Sequence, residues 1–145
     1  TTIEEKSLGA IQKGGSTTVQ EFTGYSCRPT RRGLVLMDTP GNDPESVTAM
    51  VAGGAQVVVF TTGRGSPAGC PIAPVIKVAT NTEMARRMAD DMDIDAGTVI
   101  SAGEPLIGVG QRIFQEIVTV ANGKLTRAEE WGNAEFSINL IGPRM

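Results

Sequence analysis

The residues of this chain best suited to chemistry lie in the segment 61–67, which reads Thr-Thr-Gly-Arg-Gly-Ser-Pro. The segment follows the apolar run 56–60, whose β-branched residues predict a buried strand. Open α/β sheets collect ligands at the carboxyl ends of their strands, so the segment falls at a favoured binding edge. Arg64 stands there between two glycines, where the backbone is small and a ligand can come close. The sequence therefore predicts that Arg64 binds a carboxylate, a sulfonate or a phosphate.

Three hydroxyl side chains flank this arginine and extend the predicted site. Thr61, Thr62 and Ser66 can donate hydrogen bonds to the same anion or to a hydroxyl of the ligand. Each of them can instead stabilise a turn by bonding to the local backbone. Arg64 also has an alternative role, as a loop arginine that lies in water or pairs with a nearby acid.

Proton transfer must use side chains other than histidine, which the chain lacks. Lys77 interrupts an apolar strand, so it either points outward on a polar face or reaches a cleft, where desolvation would lower its pKa and make it a base. Asp38 ends another strand ahead of a turn, which suits an acid, a base, a ligand of a hard divalent cation or a turn cap. Glu5 belongs to the charged run 4–6, and a solvated helix start is the alternative to a catalytic role.

A metal ion in this chain would need oxygen or thiolate ligands, because no imidazole is available. The four aspartates within residues 90–95 resemble part of a calcium-binding loop. However, Gly97 is misplaced for such a loop, and the bidentate glutamate at its twelfth position is missing. We therefore interpret this segment as a solvated acidic loop.

The elements that would position these residues alternate between strand and helix. Strands are predicted at 33–38, 56–60 and 75–80, with 98–101 as a brief strand or turn and 1–20 as a mostly polar segment. Helices are predicted after the cap Thr2, from Pro44 after the cap Asp43, over 83–89 after Asn81 or Thr82, and over 107–121. Residues 33–62 have the size of a β-α-β unit with parallel strands. The alternation predicts an α/β fold: a three-layer, Rossmann-like, mostly parallel sheet with flanking helices.

Length, charge and hydropathy limit the class of protein. The 145 residues suit a single domain, 1–145, with a sizeable core. The net charge of -3 argues against nucleic-acid binding, and the short apolar runs predict no membrane-spanning helix. Cys27 and Cys70 lack a paired spacing, which predicts reduced thiols in a cytoplasmic protein. The chain starts without Met, so we expect a piece of a longer protein. Its tail, 124–145, is expected to pack back through Trp131, Phe136, Ile138 and Leu140.

Several longer motifs, in order along the chain, carry a family resemblance. They are Thr-Thr-Ile-Glu-Glu-Lys-Ser-Leu-Gly at 1–9, Met-Asp-Thr-Pro at 37–40, Pro-Glu-Ser-Val-Thr at 44–48, Phe-Thr-Thr-Gly-Arg-Gly at 60–65, Ile-Ala-Pro-Val-Ile-Lys-Val at 72–78 and Asp-Met-Asp-Ile-Asp-Ala-Gly at 91–97. With these motifs the chain resembles the C-terminal domain of the altronate and galactarate dehydratase family, which includes the large subunit of sulfolactate sulfo-lyase. The resemblance covers nearly the whole chain and is least distinctive after Asn122.

This resemblance implies a hydro-lyase that removes water from a sugar acid to give a 2-keto-3-deoxy acid, with divalent iron as the usual metal. The sulfo-lyase branch implies loss of sulfite from sulfolactate instead. Full-length members carry two further domains ahead of this region, so the domain alone is expected to be inactive. We also expect a homo-oligomer, and a non-catalytic domain that supplies a dimer interface remains an alternative.

The residues fit this chemistry, although the resemblance assigns no settled catalytic role. Removal of a proton next to a carboxylate needs a base and a cation that stabilises the developing enediolate. Arg64 suits the substrate carboxylate, while Lys77, Asp38 or Glu5 is the candidate base or metal contact. Without histidine, the ligands of the metal are expected at least partly in the preceding domains.

Overall fold

The computed structural model of the chain describes residues 2–138, which form six helices and five strands. The helices are α1 (Ile3–Lys13), α2 (Asp43–Ala52), α3 (Thr82–Arg87), α4 (Thr98–Ser101), α5 (Leu106–Ala121) and α6 (Arg127–Trp131). The strands are β1 (Val19–Thr23), β2 (Leu34–Met37), β3 (Val58–Thr62), β4 (Val75–Ala79) and β5 (Ile94–Asp95). In this part of the chain, no helix is long and apolar enough to cross a membrane.

All the strand pairs are parallel, and they form two separate sheets. One sheet pairs β1 with β2, and the other has the order β3-β4-β5 with β4 in the centre. The predicted α/β fold with a mostly parallel sheet and flanking helices is therefore confirmed. The predicted β-α-β unit over 33–62 differs in its pairing, because β2 pairs with β1 and not with β3.

The three-stranded sheet is covered by helices on both faces. Alternation along β4 sends Ile76 and Val78 to one face, where they pack with Val120 and other residues of α5. Val75 and Ala79 point to the opposite face, toward α2 and α3 respectively. Every residue of β4 is buried, which is typical of the central strand of a parallel sheet.

Helix boundaries follow the local capping chemistry. Asn81 caps α3 by accepting hydrogen bonds from the amides of Glu83 (2.9 Å) and Met84 (3.3 Å), as predicted. Asn42, one residue before the predicted cap, precedes α2, and its side chain makes no capping hydrogen bond. Residues 98–101 are helical, so the expectation of a strand or turn there was wrong.

The tail packs on the body through small residues rather than through its large apolar side chains. Thr126 and Ala128, at the start of α6, are buried. Trp131, Phe136 and Ile138 remain 64%, 65% and 79% exposed, so these side chains contribute little of the expected packing of the tail. The Trp131 indole contributes only a hydrogen bond to the carbonyl oxygen of Asp90, at 3.0 Å. Leu140 lies outside the described residues.

Candidate functional site

The loop that carries Arg64 begins at the carboxyl end of β3 and turns back at once. The hydroxyl oxygen of Thr62 accepts a hydrogen bond from the amide of Gly65 at 3.0 Å. Gly65 has φ +90°, and a Cβ placed there would overlap the sulfur of Met88. Since a side chain at Gly65 would be both strained and crowded, the path of the loop requires glycine at this position.

Arg64 is exposed at the tip of this turn. None of the ion pairs and side-chain hydrogen bonds within residues 2–138 involves its guanidinium. The alternative of pairing with a nearby acid is therefore not observed in the described part of the chain. A guanidinium in this position can present two parallel N–H groups to a carboxylate.

The hydroxyl side chains of the loop divide between turn formation and exposure. Thr62 and Ser66 are half-buried, and the Ser66 hydroxyl accepts a long hydrogen bond (3.4 Å) from the amide of Ala68. Both residues thus form turns, which was the alternative to ligand binding. Thr61 is exposed beside them. Contact of any of the three with an anion stays a prediction.

The end of β4 lies directly beside this loop. The amide and hydroxyl of Thr80 donate to the carbonyl oxygen of Thr62 at 2.9 and 3.2 Å. A Cβ on Gly63 would lie 3.4 Å from the Thr80 hydroxyl oxygen, so the backbone of the loop touches the end of β4. The polar ends of β3 and β4 are therefore joined into one edge.

A cleft of about 540 Å³ extends from Thr80 along this edge. It is lined by Thr80, Asn81, Thr82, Glu83, Arg86, Gly97, Ile100 and Ser101. Arg86 brings a guanidinium to this cleft. This cleft was not predicted from the sequence. The available signal was the polar run Thr-Asn-Thr at 80–82, which follows β4 as the polar segment 61–67 follows the apolar run 56–60.

A second cleft, of about 590 Å³, lies away from this edge, between β2 and α2. Its walls are mostly aliphatic, with Val35, Met37 and Met50 among them, and Arg28 at its rim is the charged residue of its lining. The first cleft includes Thr80, which is hydrogen-bonded to Thr62 at the base of the Arg64 loop, so we place the candidate site at the β3–β4 edge.

Of the two orientations predicted for Lys77, the outward one on a polar face is not observed. Its side chain is fully buried (0% exposed), and the ammonium donates a hydrogen bond to the carbonyl oxygen of Pro67 at 2.8 Å. Burial lowers the pKa of Lys77, while the nearby carboxylates of Asp91, Asp93 and Glu135 act in the opposite direction. With no exposed surface, this lysine could reach a substrate only if the loop over it moved. Its predicted role as a base stays a prediction.

The acidic segment is less solvated than predicted, because two of its aspartates bond to the backbone. Asp93 accepts hydrogen bonds from the amides of Lys77 (2.6 Å) and Arg127 (2.9 Å). Burial raises the pKa of the Asp93 carboxyl, and these two hydrogen bonds partly offset that effect. Asp95 accepts hydrogen bonds from the amide of Gly97 (2.8 Å) and the hydroxyl of Thr82 (3.2 Å). Asp93 thus joins β4 to the start of α6, and Asp95 joins the end of β5 to the start of α3.

The other two candidate acids, Asp38 and Glu5, are exposed on different elements. Asp38 directly follows β2, and its amide donates to the carbonyl oxygen of Thr23 at 2.9 Å. Glu5 closes the capping box of α1 by accepting a hydrogen bond from the amide of Thr2 at 3.0 Å. No hydrogen bond or ion pair among residues 2–138 joins either acid to Arg64 or Lys77.

A complete metal site does not form within the described residues. No group of three or more histidine, cysteine, aspartate or glutamate side chains in residues 2–138 is arranged to hold an ion. Both cysteines are free, Cys27 exposed and Cys70 half-buried. The residues present therefore do not fit a divalent iron centre by themselves.

Fold and edge together define a parallel α/β domain with an exposed guanidinium at the carboxyl end of its sheet. A family model described as "D-galactarate/Altronate dehydratase, C-terminal" matches residues 1–143. The chain therefore belongs to this family, as the resemblance in its motifs implied.

Curated relatives of the chain are lyases by name. The chain is 46% identical over 131 residues to galactarate dehydratase (L-threo-forming) of Escherichia coli, a match that covers 90% of this chain and 25% of the relative. It is 39% identical over 138 residues to altronate dehydratase of the same organism, covering 95% and 28%. It is 38% identical over 142 residues to (2R)-sulfolactate sulfo-lyase subunit beta of Chromohalobacter salexigens, covering 97% and 36%. The chain thus spans only a quarter to about a third of the length of these relatives.

Proposed function

We propose that this domain is the C-terminal part of a hydro-lyase that dehydrates a sugar acid of the altronate or galactarate type to a 2-keto-3-deoxy acid. Membership of the family and the identity to two dehydratases support the reaction class. The structural observation that carries the proposal is the exposed Arg64 guanidinium beside the joined ends of β3 and β4. As a domain of a longer enzyme, it is proposed to be inactive alone.

Arg64 is proposed to bind the substrate carboxylate. When a base removes the proton on the carbon next to that carboxylate, the electron pair of the C–H bond delocalises into the carboxylate as an enediolate. The neighbouring C–O bond then breaks, hydroxide leaves as water after protonation, and the resulting enol tautomerises to the 2-keto acid. A guanidinium on the carboxylate stabilises the enediolate more than the substrate, so it lowers the barrier as well as binding. Thr61, Thr62 and Ser66 are proposed as hydrogen-bonding neighbours of the bound substrate.

Asp38 and Glu5 are the proposed proton-transfer groups that are accessible in this structure, since both are exposed. Asp38 is the stronger candidate because it follows a strand, whereas Glu5 already caps α1. Lys77, the third candidate, is fully buried under the Arg64 loop.

The proposed divalent metal, Fe²⁺ by family resemblance, needs ligands from outside the described residues. We propose that they lie in preceding domains of the same protein.

The outer surface of α5 supports contact with such domains or with a second copy of the chain. Ile107, Phe114 and Val118 share one side of this helix and are exposed, opposite the side that packs on the sheet. The two free cysteines support a cytoplasmic location.

A sulfo-lyase subunit is the second candidate function, favoured by the 38% identity over 97% of the chain. A substrate panel separates the two. The full-length enzyme would be incubated without oxygen with ferrous iron and altronate, galactarate or sulfolactate, and 2-keto acid and sulfite would be measured. A 2-keto-3-deoxy acid from either sugar acid supports the dehydratase, while pyruvate and sulfite from sulfolactate alone would replace it with the sulfo-lyase. No turnover of any of them would favour a structural domain.

A further inference from the structure

The carbonyl oxygen of Pro67, three residues beyond Arg64, accepts two hydrogen bonds. One comes from the buried ammonium of Lys77 at 2.8 Å, and the other from the side-chain amide of Asn133 at 2.8 Å. A carbonyl oxygen has two lone pairs, so both acceptor positions of Pro67 are used. The loop is thereby tied to the central strand on one side and to the tail on the other.

Lys77 forms this bond from a buried position, where desolvation of its ammonium costs free energy. Lys77 lies in the middle of β4, on the same face as Val75 and Ala79, which both belong to apolar clusters. An aliphatic side chain would fill such a position without the desolvation cost of an ammonium. Within residues 2–138, the carbonyl of Pro67 is the only hydrogen-bond acceptor of the Lys77 ammonium. A lysine thus adds this bond to the loop, together with attraction to the nearby carboxylates of Asp91, Asp93 and Glu135.

The tail fastens the same loop at a second point. The amide of Gly69 donates a hydrogen bond to the carboxylate of Glu135 at 2.8 Å. A Cβ on Gly69 would overlap the carbonyl oxygen of Asn133 and lie 3.0 Å from Cβ of Ala128, so loop and tail are in direct contact. Directly after Arg64, the amide of Gly65 donates a hydrogen bond to the Thr62 hydroxyl oxygen. Arg64 thus projects from a loop that is fixed just after it and again a few residues later.

We propose that Lys77 is a positioning residue, which together with Asn133 holds the carbonyl of Pro67 so that the loop presents Arg64 to the substrate carboxylate. This inference rests on the proposed function of Arg64. A preorganised guanidinium avoids the entropy cost of ordering the loop when the substrate binds. A misplacement of about 1 Å in such a group can cost on the order of 100-fold in rate.

The test is a double-mutant cycle in the full-length enzyme, with Lys77→Met, Arg64→Ala and the double variant. Methionine keeps the length and apolar stem of lysine but cannot donate to Pro67. We expect Lys77→Met to lower kcat/KM for the substrate about 10- to 100-fold, through both a higher KM and a lower kcat. In the Arg64→Ala background the same change should have almost no further effect, because Lys77 acts through Arg64. Lys124→Met removes a surface lysine paired with Glu116 and is the matched control.

Other outcomes overturn the inference in different ways. If Lys77→Met lowers kcat several thousand-fold, leaves KM unchanged and removes the basic limb of the pH profile, Lys77 is itself the base. If it reduces kcat/KM equally with and without Arg64, it does not act through the arginine. If Arg64→Ala alone has no effect, the proposed role of Arg64 fails and the inference fails with it, whereas the dehydratase activity is tested separately by the substrate panel. Should Lys77→Met not fold, Asn133→Ala removes the second donor to Pro67 and must show the same dependence on Arg64.

Discussion

The hydroxyl oxygen of Thr62 accepts a hydrogen bond from the amide of Gly65 at 3.0 Å, which closes the turn that carries Arg64. The side chain of Arg64, which lies within this turn, is exposed. Because Thr62 is also bonded through its carbonyl oxygen to Thr80, the turn continues the hydrogen bonding of the sheet. The candidate anion site therefore stands on the edge of a sheet rather than on an isolated loop.

Gly65→Ala should destabilise the protein and weaken substrate binding. Its φ of +90° is unfavourable for alanine, and the new methyl would overlap the sulfur of Met88. We expect a loss of about 1–3 kcal/mol in the free energy of unfolding, measured by urea denaturation. Gly63→Ala is the control, since its Cβ would make an ordinary 3.4 Å contact with Thr80 at a conformation that alanine tolerates. Equal losses in the two variants would contradict this account of the turn.

Asn81→Ala should cost about 1 kcal/mol of stability, because the side chain accepts hydrogen bonds from two amides at the start of α3. Asn42 occupies the equivalent position of α2 without a side-chain capping bond. Asn42→Ala should therefore change the free energy of unfolding by only a few tenths of a kcal/mol, about the scale of an exposed surface change. A thermal or urea unfolding series on both variants measures this difference, and a larger loss at Asn42 would refute it.

The buried Lys77 predicts a stability that depends on pH in the alkaline range. Burial lowers its pKa in the folded state below 10.5, so the folded protein releases this proton at a lower pH than the unfolded chain. Between the two pKa values the unfolded state binds more protons, and the free energy of unfolding rises with pH. Below that window, the cost of the buried ammonium is present in full.

Urea unfolding of the wild type and of Lys77→Met across the alkaline range isolates this effect. The stability of the wild type relative to the variant should increase as the pH rises through the lowered pKa of Lys77 toward 10.5. A constant difference would mean that Lys77 titrates in the folded protein like an exposed lysine.

The chain of 145 residues should not bind Fe²⁺ tightly on its own. It contains no histidine, and residues 2–138 provide no cluster of three potential ligands. Anaerobic equilibrium dialysis with ferrous iron should therefore give far less than one ion per chain, with a sample in excess EDTA as the blank. Stoichiometric binding would show that the ligand set of this domain is larger than the described residues provide.

Local chemistry explains which parts of the fold could be predicted. Asn81 acts within a few residues of the start of α3, so the sequence alone places this end of the helix. β1 was missed because its polar residues Gln20 and Glu21 interrupt the apolar pattern. Its pairing with β2, which displaces the expected pairing of β2 with β3, depends on contacts between separate parts of the chain.

The candidate site shows the same division. Arg64 could be selected from the sequence as an anion-binding candidate, because a guanidinium between two glycines directly after a strand is sufficient to suggest that role. The burial of Lys77 could not, since it depends on Pro67 and on Asn133, which lies 66 residues beyond that proline. The cleft beside Thr80 likewise exists only once α3 and α4 are packed at the ends of the strands.

The most direct test of the central claim is the steady-state kinetics of Arg64→Ala in the full-length enzyme, with the sugar acid that the wild type turns over. Arg32→Ala, which removes an exposed arginine far from β3 in sequence, is the control. Loss of a charged hydrogen-bonding partner of a carboxylate corresponds to a decrease in kcat/KM of about 10- to 1000-fold, with an unchanged melting temperature. Near-normal kcat/KM in Arg64→Ala, equal to that of Arg32→Ala, would contradict the claim that Arg64 binds the substrate.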